Sequence, residues 1–600
     1  MKLNTKESYK DSRFNFRDLT FIIALLLFQT LFVFQGLDFV DEGTFATMYQ
    51  QIFSYPESLQ FMFHYWMTAI IGGAWLVLFP GQGLLGIWIV GIIVTTFTAA
   101  IIYYALKDYI TVRNLRTGLF IAIVLATYNM PKGLSYNNLS VLFWVSSSLL
   151  LWNGLRRNRN YLLFFSGILA GLNTFIRLPN LLGCIIVISL FYYGWIAGRN
   201  IKSIITQTLY FVAGTVLGIA LTFLLMSILG HTEIFVKSVT ATLSMGFDAE
   251  GGHNLAKLTK RIGLHMITGL SYTGFFLVIA FLYVSISQFY VTKKSISSLD
   301  VAFIIFFMMS IAAFSFSGIL TSNGLGLFVI GIVILVTIQV LFSEAFSKEI
   351  RLISFLGMLL VVFFPFGSGS GLVFIGRSAL ILSLPVIIQV IRHYGDYNIS
   401  FYLDRIPNEE YTLSNNRLRI IPRLFIFTTL STGIIFNLST PYNSSSNRLV
   451  MRYSIDHVQL KGIFTTRERA QSVDELINAG FGIVNKGDFV LAYDNIPMYH
   501  FLTGTRPYLK NPHVGSYNSG MLKKALEEAR ENTDKLPVVV LQRVYIGDSN
   551  WPENTDEVYD IFTSEMQRDV YLKDFLNQNN YKRIWENSAF MILKPAGCFN

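Results

Sequence analysis

Apolar residues along the first three quarters of this chain come in long unbroken runs separated by short polar breaks. Runs such as 20–34, 84–106, 204–229 and 324–342 reach or approach the ~20 residues that cross a bilayer as helix. The pattern predicts about thirteen spans, at 19–36, 84–106, 117–130, 138–153, 161–176, 179–197, 204–229, 263–290, 301–318, 324–342, 352–366, 374–391 and 422–438. The stretch after the first run, FQGLDFVDEG, offers no small-x-small cleavage site, so that run reads as a retained span and not as a signal peptide.

Charge tests the placement. With the N-terminus cytoplasmic, the cytoplasmic segments hold 22 Lys and Arg and the opposite loops only seven, the bias that sets orientation. The run 57–79 would reverse every later loop if it crossed, so it reads as an aromatic-rich helix lying at the outer face. That leaves 37–82 as a long outer loop without Lys or Arg.

From 439 to 600 the pattern changes to an acidic–basic helix at 519–533 and the strand-like runs DFVLAY, LPVVVLQRVYI and AFMILKP. Alternation of this kind predicts a small α/β domain, joined through NSSSN at 443–447 as a linker. The expected fold class is therefore a polytopic α-helical membrane protein, 1–438, with a C-terminal soluble α/β domain, 439–600, on the outer side.

Composition agrees: 52% of the 600 residues are hydrophobic, 14% are charged, and the mean hydropathy is +0.49. The net charge of +10 sits in the membrane loops, since residues from 439 onward carry 18 Lys and Arg against 19 Asp and Glu. A nucleic-acid partner is excluded on that ground. Cys184 and Cys598 predict neither a disulfide framework nor a Cys-rich metal site.

Candidate chemistry gathers at one face. LDFVDEGTF places Asp38, Asp41 and Glu42 just outside the first span. A carboxylate there can take a proton from an attacking hydroxyl, or cap the following helix. YNMPKGLSYNNLSVLF crowds Lys132, Tyr136, Asn137 and Asn138 into the second outer turn, where they can meet sugar hydroxyls or a phosphate or simply form a Pro/Gly/Asn turn. Arg177 and Arg377 lie at the outer ends of spans, suited to a lipid phosphate or to a structural partner such as Asp41. His64 sits in the aromatic run HYW as a belt residue or a substrate contact. His231, His253, Asp248 and Glu250 match no metal spacing.

A cytoplasmic N-terminus, one span and then Asp-Glu resemble the GT-C class of glycosyltransferases, nearest in layout to the protein O-mannosyltransferases and the bacterial lipid A aminoarabinose transferase. YPESLQFMFHYWMTAIIGG stands where those enzymes carry a His-Pro-Pro turn, and FVLAYDNIPMYHFLTGTRP is similar to their Pro-x-Tyr-x-x-Leu-Thr-Gly stretch. The resemblance implies Asp41 as the base with Glu42 in support. It also implies cations near the outer face that hold a polyprenyl-phosphate sugar. Asn137 or Asn138 stands where relatives often have an acid, which leaves open whether a second carboxylate or a divalent metal takes part.

The function expected is transfer of a sugar from a polyprenyl-phosphate donor to a glycolipid, glycan or protein acceptor at the outer face of a bacterial inner membrane. No cofactor beyond that lipid-linked donor is implied. An envelope polysaccharide polymerase or ligase is the alternative, and a lipid-linked sugar flippase a further one, although nearly charge-free spans with polar clusters at one face argue against passage. Topology is checked by labelling a cysteine at position 446: labelling from the outside is expected, and labelling from the cytoplasm would reverse the orientation.

Overall fold

The structure, a computed structural model, describes residues 16–247, 254–289, 298–316, 322–395, 400–401, 411–412, 419–445, 447–532, 535–547, 551–552 and 559–596. The helices run α1 (Phe16–Thr30), α2 (Asp41–Gln51), α3 (Trp66–Leu78), α4 (Gly83–Leu106), α5 (Val112–Thr127), α6 (Tyr136–Arg157), α7 (Asn160–Asn173) and α8 (Ile188–Ala197). They continue with α9 (Ile201–Ile228), α10 (Thr232–Phe247), α11 (Leu255–Phe289), α12 (Ser298–Phe316), α13 (Ser322–Phe342), α14 (Lys348–Phe363), α15 (Ile375–Gly395) and α16 (Ile420–Ser439). Each predicted span coincides with one of these helices, α8 being extended by a 3₁₀ stretch over Leu178–Val187. Among the described residues nine helical stretches are long and apolar enough to cross a membrane.

Eight of those nine match predicted spans, and the other is Pro56–Leu78. Its ends decide how it lies. At its middle the chain changes from 3₁₀ to α-helix at Trp66, where Met67 N–H and Thr68 Oγ1 donate to the carbonyls of Phe175 and Ile176 just beyond α7. Five residues past its end, Gly83 opens α4 against the Gln459 backbone of the C-terminal region. The 3₁₀ part is tied to the same region, since Phe61 N–H donates to Lys510 O. All three anchors lie on the face that carries the C-terminal domain, so α3 runs along that face.

Within the bundle, α7 and α9 meet backbone to backbone. Gly167 and Gly171 face Gly214 and Gly218, and a Cβ on any of them would fall 2.0–2.4 Å from an opposing carbonyl oxygen. Small residues four apart give this close approach, which substitutes for the hydrophobic drive absent between helices in lipid. The outer flank of α9 exposes Leu209, Val216, Leu224 and Ile228, a stripe suited to acyl chains.

The C-terminal region holds β1 (Phe489–Tyr493), β2 (Arg506–Pro507), β3 (Val538–Gln542), β4 (Tyr581–Glu586) and β5 (Phe590–Pro595), in the order β2-β1-β3-β5-β4. β1 pairs parallel with β2 and β3, and β5 pairs antiparallel with β3 and β4. The helices α17 (Arg467–Phe481), α18 (Met498–Thr503), α19 (Ser519–Asn532) and α20 (Gln567–Gln578) complete it. The three predicted strands and the 519–533 helix are present. β4 escaped the sequence reading because YKRIWE is half exposed and charged.

This domain shares one hydrophobic core with the first outer loop. Phe39 meets Trp551 at 5.4 Å and Phe590 at 5.8 Å between ring centroids. The short helix α2 is buried nearly all round, although its sequence DEGTFATMYQQ reads as polar. Its polar side chains find partners on both sides: Thr47, Gln50 and Gln51 donate to carbonyls of Pro497, Phe501 and Thr505 in the domain. Tyr49 Oη donates to Leu134 O of the second outer turn, at 2.7 Å.

The NSSSN segment does not behave as a free linker. Asn443 and Ser444 hydrogen-bond Asp38 and the backbone of Leu37, so the join is part of the domain contact.

Gly43 marks the tightest point of that contact: a Cβ there would lie 2.4 Å from Met498 N. Backbone cannot yield as a flexible side chain can, so Gly43→Ala is expected to cost ~1–3 kcal/mol. Thermal unfolding of purified protein checks it, with Gly263→Ala, whose site has open space around it, expected to unfold close to wild type.

Candidate active site

The site starts where α1 ends. Gly36 takes a left-handed φ of +94° and its N–H pairs with Phe464 O, turning the chain under the domain. Asp38 then caps α2: Oδ1 accepts from Val40 N at 3.0 Å and Asn443 Nδ2 at 2.9 Å, and Oδ2 accepts from Glu42 N at 2.9 Å. With the capping done by Asp38, Asp41 and Glu42 in the first helical turn are left for other partners.

Those partners differ, because consecutive helix residues point about 100° apart. Asp41 Oδ2 accepts the Tyr442 hydroxyl. Glu42 Oε1 accepts Lys132 N–H at 2.8 Å. Burial raises the proton affinity of all three carboxyls; the Asp41 charge adds to this at Asp38, the Tyr442 hydroxyl opposes it at Asp41, and Lys132 opposes it at Glu42. Burial lowers the proton affinity of Lys132, against the pull of Glu42.

The second outer turn is built by a capping box at the start of α6. Ser135 Oγ accepts from Asn137 N, and Asn138 Oδ1 accepts from Ser135 N at 2.9 Å. Asn138 is thereby used by the turn. Asn137 keeps its Oδ1 buried, without a hydrogen-bond partner among the described residues. Gly91 of α4 lets the 132–134 backbone approach, since a Cβ there would meet it at 2.6–2.7 Å. Lys132 consequently lies with Nζ 4.0 Å above the Trp88 ring and donates to Gln35 O.

Beside this turn opens a cavity of about 100 Å³. Lys132, Asn137, Tyr442 and Arg448 line its polar end, while Phe28 and Ile92 belong to its apolar walls. Along α4 its lining runs from Gly91 to Thr98, about 10 Å at 1.5 Å per residue. Arg448 donates through Nε to Asn437 O at 2.8 Å, stacks over Phe32 at 4.7 Å, and keeps Nη1 buried without a partner.

The remaining predicted residues are not among the cavity walls. Tyr136 stacks on Tyr65 with centroids 4.6 Å apart, and Arg177 lies 5.6 Å from the Tyr136 ring. Arg177 donates to the carbonyls of Phe364 and Phe366. Arg377 covers Tyr128 at 4.1 Å and donates to Asn129 O at 3.2 Å; neither arginine is among the cavity walls. His64 pairs Nδ1 with Phe61 O at 2.8 Å, within the interfacial turn. His231 accepts from Trp66 Nε1, whereas Asp248, Glu250 and His253 lie outside the described residues.

Sequence reasoning missed Tyr442 and Arg448. Both follow the last span directly, and assigning 439–600 wholly to a soluble domain hid them. The available signal was an aromatic and a cation at a membrane boundary.

No family model and no curated protein matches the chain. Among solved structures the chain is similar to ArnT from Cupriavidus metallidurans bound to undecaprenyl phosphate. That match has 10% identity and a TM-score of 0.37, and covers 97% of this chain and 98% of that one. A score this low leaves the functional reading to rest on the residues above.

Asp38 and Arg377 are expected to be stability residues. Asp38→Ala strands Val40 N–H, Glu42 N–H and Asn443 under the domain, a loss of ~1–3 kcal/mol visible as a lower unfolding temperature. Arg377→Gln should likewise lower that temperature; a variant that unfolds at the wild-type temperature would end the structural role.

Proposed function

We propose that this protein is a GT-C-type glycosyltransferase that moves a sugar from a polyprenyl-phosphate donor to an acceptor at the outer face of a bacterial inner membrane. The observation that carries the reading is the cavity. Lys132, Arg448 and an amide oxygen that has no hydrogen-bond partner among the described residues line it, Tyr442 joins it to Asp41, and apolar residues such as Phe28, Phe32 and Ile92 share its walls. A lipid-linked sugar phosphate calls for the same mixture of partners: hydrogen-bonding groups, cations and apolar surface.

In this reading Lys132 and Arg448 hold the phosphate and Asn137 Oδ1 accepts from a sugar hydroxyl. Arg offers a planar fork and Lys a point charge, so the two bind phosphate in complementary ways. The acceptor oxygen attacks the anomeric carbon as the bond to the phosphate oxygen breaks. Asp41 takes the acceptor's proton, and the polyprenyl phosphate leaves with its charge facing the two cations. An elevated proton affinity suits a carboxylate to that role near neutral pH. Glu42 keeps Lys132 charged and in place. The sequence resemblance in LDFVDEGTF supports the same assignment.

The test uses undecaprenyl phosphate and protein in nanodiscs. Lys132→Gln and Arg448→Gln should each weaken binding by about 10-fold or more, the value of a charge-assisted hydrogen bond. Asp41→Asn should bind as wild type while transfer falls by about 10²–10⁴, read as loss of a sugar from envelope glycolipids or glycoproteins by mass spectrometry. Unchanged binding in both cation variants would remove the donor site from this cavity.

A further inference from the structure

Tyr442 follows the last span by three residues, yet its hydroxyl rests on the first carboxylate of α2, 401 positions away. The segment carrying it is held on both sides. Asn443 Nδ2 donates to Asp38 Oδ1 at 2.9 Å, and Ser444 Oγ accepts from Leu37 N at 3.0 Å. Arg469 of α17, 1% exposed, closes the joint from the C-terminal domain. Its Nη1 donates to Asn443 O at 2.9 Å and Leu37 O at 3.1 Å, while Nε and Nη2 donate to Trp551 O at 3.1 and 3.0 Å. Its guanidinium also lies 4.3 Å from the Trp551 ring centroid. One buried cation thus locks the loop before Asp41, the segment after the last span and the domain above them.

We propose that Tyr442 is a positioning residue for Asp41: its hydroxyl holds Oδ2 and leaves Oδ1 to the acceptor, and the C-terminal domain maintains this through Arg469. The proposal rests on the reading of Asp41 as the base. Among the described residues no hydrogen bond occupies Asp41 Oδ1. The titratable groups facing Asp41 are Asp38 on its own loop, Tyr65 before α3, Tyr136 on α6 and Tyr442 itself. Of these, Asp38 and burial oppose a negative Asp41, and the Tyr442 hydroxyl supports it. A hydrogen bond to the charged form lowers a carboxyl pKa, so its removal raises that pKa.

The experiment is an infrared pH titration of whole protein in nanodiscs, which needs no substrate. The Asp41 carboxyl band is the one missing from Asp41→Asn. In Tyr442→Phe, which keeps the ring and loses only the hydroxyl, its midpoint should rise by about 1–2 pH units. The acidic limb of the transfer rate should move up with it, so that activity is partly recovered at higher pH; a merely structural role would lower activity at every pH. A wild-type midpoint in a folded Tyr442→Phe overturns the proposal. If that variant unfolds, Arg469→Lys replaces it: a smaller rise is expected, and an unmoved midpoint overturns the proposal equally. Sugar transfer at the wild-type rate by Asp41→Asn would end the base reading, whereas an inactive Asp41→Asn beside an unmoved Tyr442→Phe midpoint would end only this proposal.

Discussion

Three carboxylates stand within five residues beneath a folded domain, Asp38 and Glu42 buried and Asp41 partly so. A buried carboxylate lacking donors would take up a proton or unfold its surroundings. The chain supplies a separate remedy for each: two backbone N–H groups and an amide for Asp38, a phenol for Asp41, a backbone N–H and a nearby ammonium for Glu42. Every one of these donors except the two at Asp38 from its own helix comes from a distant segment. The covered site therefore exists only when the second outer turn, the post-span segment and the first loop are assembled together.

That dependence explains why the C-terminal domain is docked so closely. A loosely tethered domain would let water reach the carboxylates and release Tyr442. Phe39 inserted against Trp551 and Phe590, Gly43 against Met498, and Arg469 across three backbone carbonyls make up the contact. The polar residues of α2 divide between the domain and the outer turn, so the helix has no solvent face to spare. Below this layer the bundle contributes the cavity, walled by residues of α1, α4, α5, α6 and α15.

The division of labour among cations follows from their surroundings. Arg177 and Arg377 are sequestered by backbone carbonyls and aromatic faces, which suits them to bracing helix ends. Lys132 and Arg448 border the open space. At Lys132 the ammonium is balanced against Glu42, so the pair sets both the charge and the position of the cavity's polar end.

The sequence alone determined the parts whose physics is local. A span is stable in lipid because its own residues are apolar and its own backbone is hydrogen-bonded, so hydropathy located the thirteen bundle helices, though not α2 or α10, whose sequences are more polar. The helix at 519–532 and the strands β1, β3 and β5 were legible for a similar reason, as was the concentration of Asp38, Asp41 and Glu42 beyond the first span. Tertiary structure alone decided which carboxylate caps and which faces Tyr442, that Asn138 serves the turn while Asn137 faces the cavity, and that Arg448 lines it where Arg377 does not. It also turned a polar, linker-like segment into a joint. These outcomes depend on contacts such as Tyr442 with Asp41 and Arg469 with Leu37, 401 and 432 residues apart, and a hydrogen bond across that separation leaves no periodicity along the chain for a reader to find.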